Sequence, residues 1–313
     1  MLIYDTKNES IHIEDPKMLS FLSDIYRKTR YLESARDDDL DARLDGLVAN
    51  LVSFNPEGEP QFRVKNGREA IAFIELLEEL NLRSLNIEPL LQPRLQKYKG
   101  LFVERDIKRI QIQLERFRGK KCLFKFTKAE YVDAILNGEA RFKTASSYND
   151  SGLSIAIRDD ELNIEHNLRG LRMTTKDGTT IPVKDNLITT KAAGDYYVSC
   201  FSSDFKLQFF PLFDSDSCVV IDDSEKFVNS VIERHEEKFP QFCILFGAVD
   251  YIDRYRQLKP KRPIEFRKSW DYSYEKEFRF VSFSESDTEN LEPLRTVNID
   301  ETKLEYCTIQ IGL

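Results

Sequence analysis

The sequence predicts an α+β fold, with a helical N-terminal domain followed by a domain built on a mixed or antiparallel β-sheet with short helices. Two observations support this prediction. Apolar residues recur at helical spacing through the first third of the chain, whereas after Gly119 they form short runs of strand length separated by turns. Because the period of the apolar pattern changes there, we predict two domains, 1–118 and 119–313.

The helical prediction for the N-terminal domain depends on stripes of apolar side chains. Within 17–33 and 38–52, and again after Gly67, apolar residues return every three or four positions. This spacing is typical of amphipathic helices. The intervening segment 53–64 is rich in turn residues, so it predicts a hairpin or a short extended piece.

The C-terminal domain begins with two predicted strands, 120–127 and 139–145, which flank a short helix ending at Gly138. Residues 153–195 are polar and weakly patterned, which favours either a hairpin excursion or a mobile flap. A helix is predicted over 224–239. The other apolar runs are predicted to be strands: 195–202, 206–213, 217–222, 243–252, 277–283 and 305–313.

Composition excludes several classes of protein. The chain has 313 residues and a net charge of −8, which argues against binding nucleic acid through bulk charge. It has neither the roughly 20-residue apolar run of a membrane span nor an N-terminal signal-peptide pattern. Five cysteines scattered through apolar runs indicate reduced thiols, so we expect a cytoplasmic protein.

The three histidines do not indicate a site. None lies near a cysteine at metal-ligand spacing, which argues against a zinc site and against a Cys/His or Ser/His nucleophile. His166 and His235 occur among charged residues, so we expect both to be exposed.

The segment 266–283 is the most informative part of the chain because it combines the single tryptophan, Trp270, with a Glu-x-Glu-x-Arg unit. Alternation along a strand would place Glu275, Glu277 and Arg279 on one face. One interpretation is a paired-carboxylate site. The other is a solvated edge of an antiparallel sheet, where charges discourage aggregation. The aromatic run that starts at Trp270 predicts that its side chain is buried.

Several motifs from residue 120 onward resemble a widespread bacterial domain family of unknown function. The resemblance depends on the order FKFTKAEYVDAILNGEARFKTASSYND, YYVSCFS, VDY, K-x-W-x-Y-x-Y-E-K-E-F-R-F and a terminal I-x-I-G. It covers about residues 120–313, and its more specific parts are the SSYND and W…YEKEFR blocks. The family label implies no established chemistry.

The order of elements is also similar to that of ADP-ribosyltransferases. In those enzymes a late strand carries Glu-x-Glu, and the resemblance implies that Glu275 and Glu277 are catalytic. A carboxylate can stabilise the oxocarbenium-like charge that develops when the nicotinamide–ribose bond breaks, and the first glutamate would orient or deprotonate an acceptor. Lys125 takes the place of the usual His or Arg. The resemblance implies these cofactor-binding positions: Lys125, Thr127, Ser146, Tyr148, Asn149 and Arg279, with Ser147 beside them.

Plainer interpretations of these residues stay open. Lys125 and Thr127 fit the outward face of a strand, and Asn149 with Asp150 fits a capped turn. The predicted function is a cytoplasmic NAD-using ADP-ribosyltransferase-like enzyme or NAD glycohydrolase, a toxin or anti-phage defence effector with NAD as co-substrate, an unknown acceptor and no metal.

The alternative is a non-catalytic interaction module whose helical domain binds a protein or nucleic-acid partner. Metal-dependent nucleic-acid cleavage through Asp150, Glu275 and Glu277 is disfavoured because carboxylates are few and no histidine supports them.

Overall fold

The structure is a computed structural model. It describes residues 2–5, 10–13, 16–64, 67–150, 160–167, 172–182, 187–256, 261–284, 291–299 and 306–311.

Among the described residues, the N-terminal part packs five helices and a small antiparallel sheet. Its elements are β1 Leu2–Asp5, β2 Ser10–Ile13, α1 Pro16–Thr29, α2 Asp37–Leu51, β3 Val52–Phe54, β4 Pro60–Val64, α3 Arg68–Leu82, α4 Glu88–Gln96 and α5 Glu104–Glu115. The strands lie in the order β2-β1-β4-β3. The predicted helices over 17–33 and 38–52, and the hairpin within 53–64, are confirmed as α1, α2 and β3–β4.

The C-terminal part is built on an eight-stranded sheet, which confirms the α+β class. Its elements are β5 Leu123–Thr127, α6 Val132–Leu136, β6 Glu139–Thr144, β7 Asn163–Asn167, β8 Arg172–Thr174, β9 Thr180–Pro182, β10 Leu187–Lys191, β11 Tyr197–Ser202, α7 Phe209–Leu212, β12 Ser217–Ile221, α8 Ser224–Lys238, β13 Phe242–Ala248, β14 Asp250–Ile252, β15 Arg267–Ser269, β16 Glu277–Ser284, β17 Leu294–Asn298 and β18 Tyr306–Gln310. Three two-stranded pairs, β7–β10, β8–β9 and β14–β15, lie outside the large sheet.

The large sheet divides at β11. Along one edge β11 pairs with β16, and along the other its first two residues pair with β6 while Ser202 pairs with β5. Since β5 and β6 are both antiparallel to β11, they run in the same direction, joined by a short helical crossover through α6. One branch continues as β5-β12-β18 and the other as β6-β17.

One predicted strand is wrong. Within 206–213 the chain forms the helix α7 instead, with Phe209 and Phe210 fully buried. Pro211 lacks the backbone N–H that a central strand would need, and the aromatic rings pack against Phe126 of β5 at centroid distances of 5.4 and 5.2 Å. Tertiary packing of the phenylalanines therefore determines the local structure here.

Buried side chains join the N-terminal helices to the C-terminal part. One apolar cluster contains Leu44, Leu47 and Phe73 of the helices together with Tyr255 and Trp270. Trp270 is 2% exposed, which confirms its predicted burial. The two sets of strands pair only among themselves in the described ranges, and the division into domains at residue 118 stays a prediction.

His235 contradicts the expectation that it is exposed. It lies on the buried side of α8, is 1% exposed, and its Nε2 is 2.8 Å from Oγ of Ser282. Burial, followed by the nearby charge of Arg295, lowers the pKa of His235 to about 4. The pattern of charged neighbours was misleading because they occupy the other face of the same helix. His166 has no described side chain.

The buried imidazole predicts a loss of stability in mild acid. Between pH 6.5 and 4 the unfolded chain binds a proton at His235 that the folded chain does not, so stability falls as pH falls through this window. We expect a loss of about 2 kcal/mol between pH 7 and pH 5 from this group, measured by urea denaturation. Over the same interval, the free energy of unfolding of His235→Gln should fall by about 2 kcal/mol less than that of the wild type. An identical pH dependence in both proteins would contradict the assignment.

Candidate functional site

A cavity of about 500 Å³ lies where the large sheet divides. Ser199, Cys200 and Phe201 of β11 lie between the residues that pair with β6 and those that pair with β5, and all three line the cavity. Residues of β5 and β6 form the two sides. The cavity therefore lies in the gap between the parallel strands β5 and β6. Its volume is within the range of small-molecule binding sites.

Lys125 of β5 lines this gap, as does its neighbour Thr127. The ammonium of Lys125 donates a 2.6 Å hydrogen bond to the carbonyl oxygen of Cys200 and lies 5.0 Å from the ring centroid of Phe201. Burial is the main cause of a lowered pKa for Lys125, and the charge of Lys143 acts in the same direction. Lys125 therefore lines a cavity and is not a solvated residue on an outer face.

Glu277 lines the cavity, whereas Arg279, predicted to bind the cofactor, is fully buried and is not among the described lining residues; the two belong to one buried charge cluster. Nε of Arg279 donates to Oε1 of Glu277 at 2.7 Å, and its Nη1 and Nη2 donate to Glu161 at 2.7 and 3.2 Å. Glu161 and Glu277 are 5% and 4% exposed, and Arg279 is fully buried. These contacts fix the Glu277 carboxylate at the cavity wall.

Lys268 connects Glu275 to the same cluster. Its Nζ is 2.8 Å from Oε2 of Glu275 and 3.4 Å from Oε2 of Glu277. Glu275 and Glu277 are both 4% exposed and both line the cavity. The strand that begins at Glu277, β16, lies between β13 and β11 in the interior of the sheet. The interpretation of the two glutamates as a solvated sheet edge is therefore wrong.

The backbone between the two glutamates differs from the predicted strand. Trp270–Glu275 forms a 3₁₀ turn, and Lys276 adopts a left-handed conformation with φ of 48° before β16 begins at Glu277. This local turn, and not strand alternation, directs both carboxylates toward Lys268. The prediction that Glu275 and Glu277 share a strand face is corrected accordingly, although their proximity is confirmed.

The turn that carries Glu275 is packed against α2. A Cβ at Gly46 would lie 2.3 Å from the carbonyl oxygen of Asp271, so only glycine permits this approach. Nδ2 of Asn50 donates to Oγ of Ser273 at 3.1 Å. An N-terminal helix therefore supports one of the two candidate catalytic residues.

Of the other predicted residues, Tyr148 joins the site and two do not. Tyr148 lines the cavity from a 3₁₀ turn that follows β6, and burial raises its pKa well above the usual value, so its hydroxyl is neutral. Ser146 donates its hydroxyl to Asp195 at 2.5 Å, and Asn149 is exposed. Neither is among the described lining residues, because the 3₁₀ turn directs them away from the gap.

Glu277 is held ionised. Burial raises its pKa, but the charges of Arg279 and Lys268, together with the hydrogen bond from Arg279, outweigh burial and keep the pKa of Glu277 well below its usual range. The neighbouring thiol of Cys200 has the opposite shift, because burial and the charge of Glu277 raise its pKa well above 9. The site therefore presents a carboxylate beside a protonated, unreactive thiol.

Charge is distributed unevenly between the mouth and the floor of the cavity. At the mouth, Lys143 is exposed and the side chains of Lys128 and Arg141 are 41% and 39% exposed, and the latter two pair with Asp214 and Glu139 of the same lining. The floor holds the buried carboxylates of Glu161, Glu275 and Glu277. A bound molecule would meet three cations and two carboxylates at the mouth and three carboxylates at depth.

Sequence reasoning missed several members of the site. Glu161 comes from the segment 153–195, whose weak pattern predicted a hairpin or a flap and no site residue, and it reaches Arg279 across 118 positions. Lys268 is part of the K-x-W motif, which could have identified it. Tyr251, whose hydroxyl accepts a 2.8 Å hydrogen bond from the backbone N–H of Glu277, is part of the VDY motif.

Three further observations concern metal-binding groups, membrane-spanning helices and similarity to known proteins. In the part of the chain that the structure describes, no three His, Cys, Asp or Glu side chains form a group suited to a metal ion. Among the described helices, none combines the length and the apolar character needed to cross a bilayer. Comparisons of the chain with models of protein families, with curated proteins and with solved structures found no match.

Proposed function

We propose that the cavity binds NAD and that the chain breaks the nicotinamide–ribose bond, passing ADP-ribose to an acceptor or to water. The observation that supports this most is the meeting of Lys125, Tyr148 and Glu277 around one cavity, although they come from three separate segments. A cation, a phenol and a buried carboxylate with shifted pKa values around one internal space are typical of a ligand site.

The net charge of the floor supports a ligand with a positive region. Three carboxylates, Glu161, Glu275 and Glu277, are matched there by two cations, Lys268 and Arg279. The buried ammonium of Lys125 lines the same cavity, so the excess of carboxylate is local to the side that holds Glu275 and Glu277. The nicotinamide ring of NAD carries a positive charge and suits that side, whereas Lys125 and the cations at the mouth suit its diphosphate.

The proposed chemistry uses these groups as follows. The bond between C1′ of the ribose and N1 of nicotinamide breaks, and its electron pair leaves with the neutral nicotinamide. Positive charge develops at C1′, where the ionised Glu277 carboxylate stabilises it. The oxygen or other nucleophile of the acceptor then bonds to C1′, and Glu275 accepts its proton.

Tyr148 and Lys125 would bind the two ends of the ligand. The Tyr148 ring offers an aromatic surface for the nicotinamide, and its neutral hydroxyl can still donate a hydrogen bond. Lys125 supplies a positive charge on the side of the cavity formed by β5. A cytoplasmic role in toxicity or anti-phage defence, with NAD depletion as its effect, is part of the same proposal.

The direct test is to incubate the purified chain with NAD and to measure nicotinamide release by chromatography. We expect turnover with NAD in the wild type and a weaker reaction in Tyr148→Ala, with Tyr131→Ala as the matched control, because Tyr131 also lines the cavity but is 42% exposed. Nicotinamide release at the uncatalysed rate, in the presence and absence of an acceptor extract, would contradict the proposal.

An interaction module is the second candidate, and α1 favours it. Phe21 and Ile25 are 60% and 41% exposed and lie four residues apart, so they share one face of the helix. An exposed apolar stripe of this kind suits a protein partner. Under this alternative, NAD would be neither bound nor consumed, and Phe21→Ser would abolish partner capture.

A further inference from the structure

Lys268 occupies a central position in the site, and none of the sequence motifs predicted a role for it. It lies on β15 next to β14, and it is 5% exposed. Its Nζ lies 2.8, 3.4 and 3.9 Å from carboxylate oxygens of Glu275, Glu277 and Glu161, and 4.8 Å from the ring centroid of Tyr272. One ammonium group thus lies within 4 Å of three carboxylates, two from neighbouring positions at 275 and 277 and one from residue 161.

The roles of the two buried cations differ. Arg279 uses its planar guanidinium to bind Glu277 and Glu161, and its Nη1 also donates to the carbonyl oxygen of Glu265 at 2.8 Å. Its donors therefore fix the positions of Glu277 and Glu161 within the cluster. Lys268 is the cation that joins Glu275 to Glu277, the two residues with proposed catalytic roles.

We propose that Lys268 is a positioning residue that holds Glu275 and Glu277 together as two ionised carboxylates, one for the developing charge and one for the acceptor. This inference rests on the proposed function. Two carboxylates that share one cation in a buried site repel each other. Without that cation, one carboxyl takes up a proton or turns away from the other. Lys268 therefore allows both carboxylates to stay charged, and its ammonium lies closer to Glu275 than to Glu277.

Other groups around Glu277 also affect its ionisation. The charged and titratable groups that face it from the packed elements are Lys125 of β5, Cys200 of β11, Tyr251 of β14, Lys268 of β15, Arg279 of β16, and Tyr148, Glu161 and Glu275 from turns. Among the cations, Arg279 has the largest lowering effect on the pKa of Glu277 and Lys268 the next largest. Removal of Lys268 should therefore raise the pKa of Glu277, while Arg279 still lowers it.

The first experiment compares Lys268→Met, which removes the charge, with Lys268→Arg, which keeps it. We expect Lys268→Met to lower NAD turnover by at least about 10-fold near pH 7 and to recover part of it as the pH is raised, because a carboxyl that has taken up a proton ionises again. Lys268→Arg keeps the charge on a larger group, so it should retain more turnover than Lys268→Met and keep the pH profile of the wild type. A methionine variant that is equally impaired at every pH would show a merely structural role and overturn the inference.

A second measurement separates this inference from the proposed function. The ¹³C resonances of the glutamate side-chain carboxyls are titrated in the wild type and in Lys268→Met, with no NAD present. We expect the Glu277 carboxyl to titrate at higher pH in the variant, whether or not the chain cleaves NAD. If wild type and variant titrate alike, the role given to Lys268 is wrong even if the enzyme is active.

Folding of the methionine variant supplies the last check. If Lys268→Met is unfolded near pH 7, repulsion between the carboxylates is the expected cause, and the variant should regain its circular dichroism between about pH 5 and pH 6 as one carboxyl is protonated. A variant that stays unfolded throughout that interval would contradict the proposal, because the loss would then not depend on charge.

Discussion

Replacing Glu277 with glutamine is expected to lower the rate of nicotinamide release by about 10²- to 10³-fold, on the order of 3–4 kcal/mol of transition-state stabilisation. Glutamine keeps the shape of the side chain and can still accept a hydrogen bond from Arg279, but it has no charge to offer at C1′. Because Glu277 is ionised throughout the physiological range, the effect should be similar at all pH values at which the chain is folded.

The control is Glu130→Gln, which changes an exposed carboxylate next to the cavity-lining Tyr131. It should leave turnover and stability unchanged.

Glu275→Gln should reduce transfer to an acceptor more than hydrolysis of NAD, since its proposed role is at the acceptor. Equal turnover of the wild type and a folded Glu277→Gln protein would remove the central residue of the enzyme proposal and favour the interaction module.

The parts of the fold that the sequence predicts well are those with a strong local period. Helices α1, α2, α3 and α8 begin within a residue or two of their predicted starts because one apolar face recurs over several turns. The strand pair β1–β2 was not predicted, since four-residue strands give little periodic signal. The helix α7 was missed because its structure depends on phenylalanines packed between distant elements.

The site was predictable to the extent that its residues share a motif. Glu277, Glu275 and Tyr148 were identified as candidates through blocks of local sequence, and Lys125 through the resemblance to ADP-ribosyltransferases. Glu161 was not found, because an ion pair across 118 positions leaves no mark on local sequence. The turn at Lys276 was also unpredictable, since a lysine at positive φ is set by its surroundings and not by its own preference.

The largest change in stability is expected for Trp270→Ala, at about 3–5 kcal/mol of unfolding free energy. Trp270 is 2% exposed within the N-terminal apolar cluster, and the guanidinium of Arg43 lies 4.8 Å from its ring. Arg43 is itself buried and bound to Asp253 at 2.9 Å. Removing the indole creates a cavity and takes away an aromatic contact of a buried cation, so both costs contribute.

Urea denaturation with tryptophan-independent detection, such as far-ultraviolet circular dichroism, measures this change. Phe246→Ala is the matched control, because that large aromatic is 47% exposed and should cost less than about 1 kcal/mol. A similarly small loss for Trp270→Ala would contradict its place in the core.

The same substitution also tests the link between the helices and the site. Trp270 begins the 3₁₀ turn that ends at Glu275, and α2 holds that turn through Gly46 and Asn50. Trp270→Phe, which keeps an aromatic ring near Arg43, should retain more stability and more transfer to an acceptor than Trp270→Ala. If both variants stay folded and only the alanine variant loses transfer while hydrolysis of NAD persists, the helical part acts on the reaction through the position of Glu275.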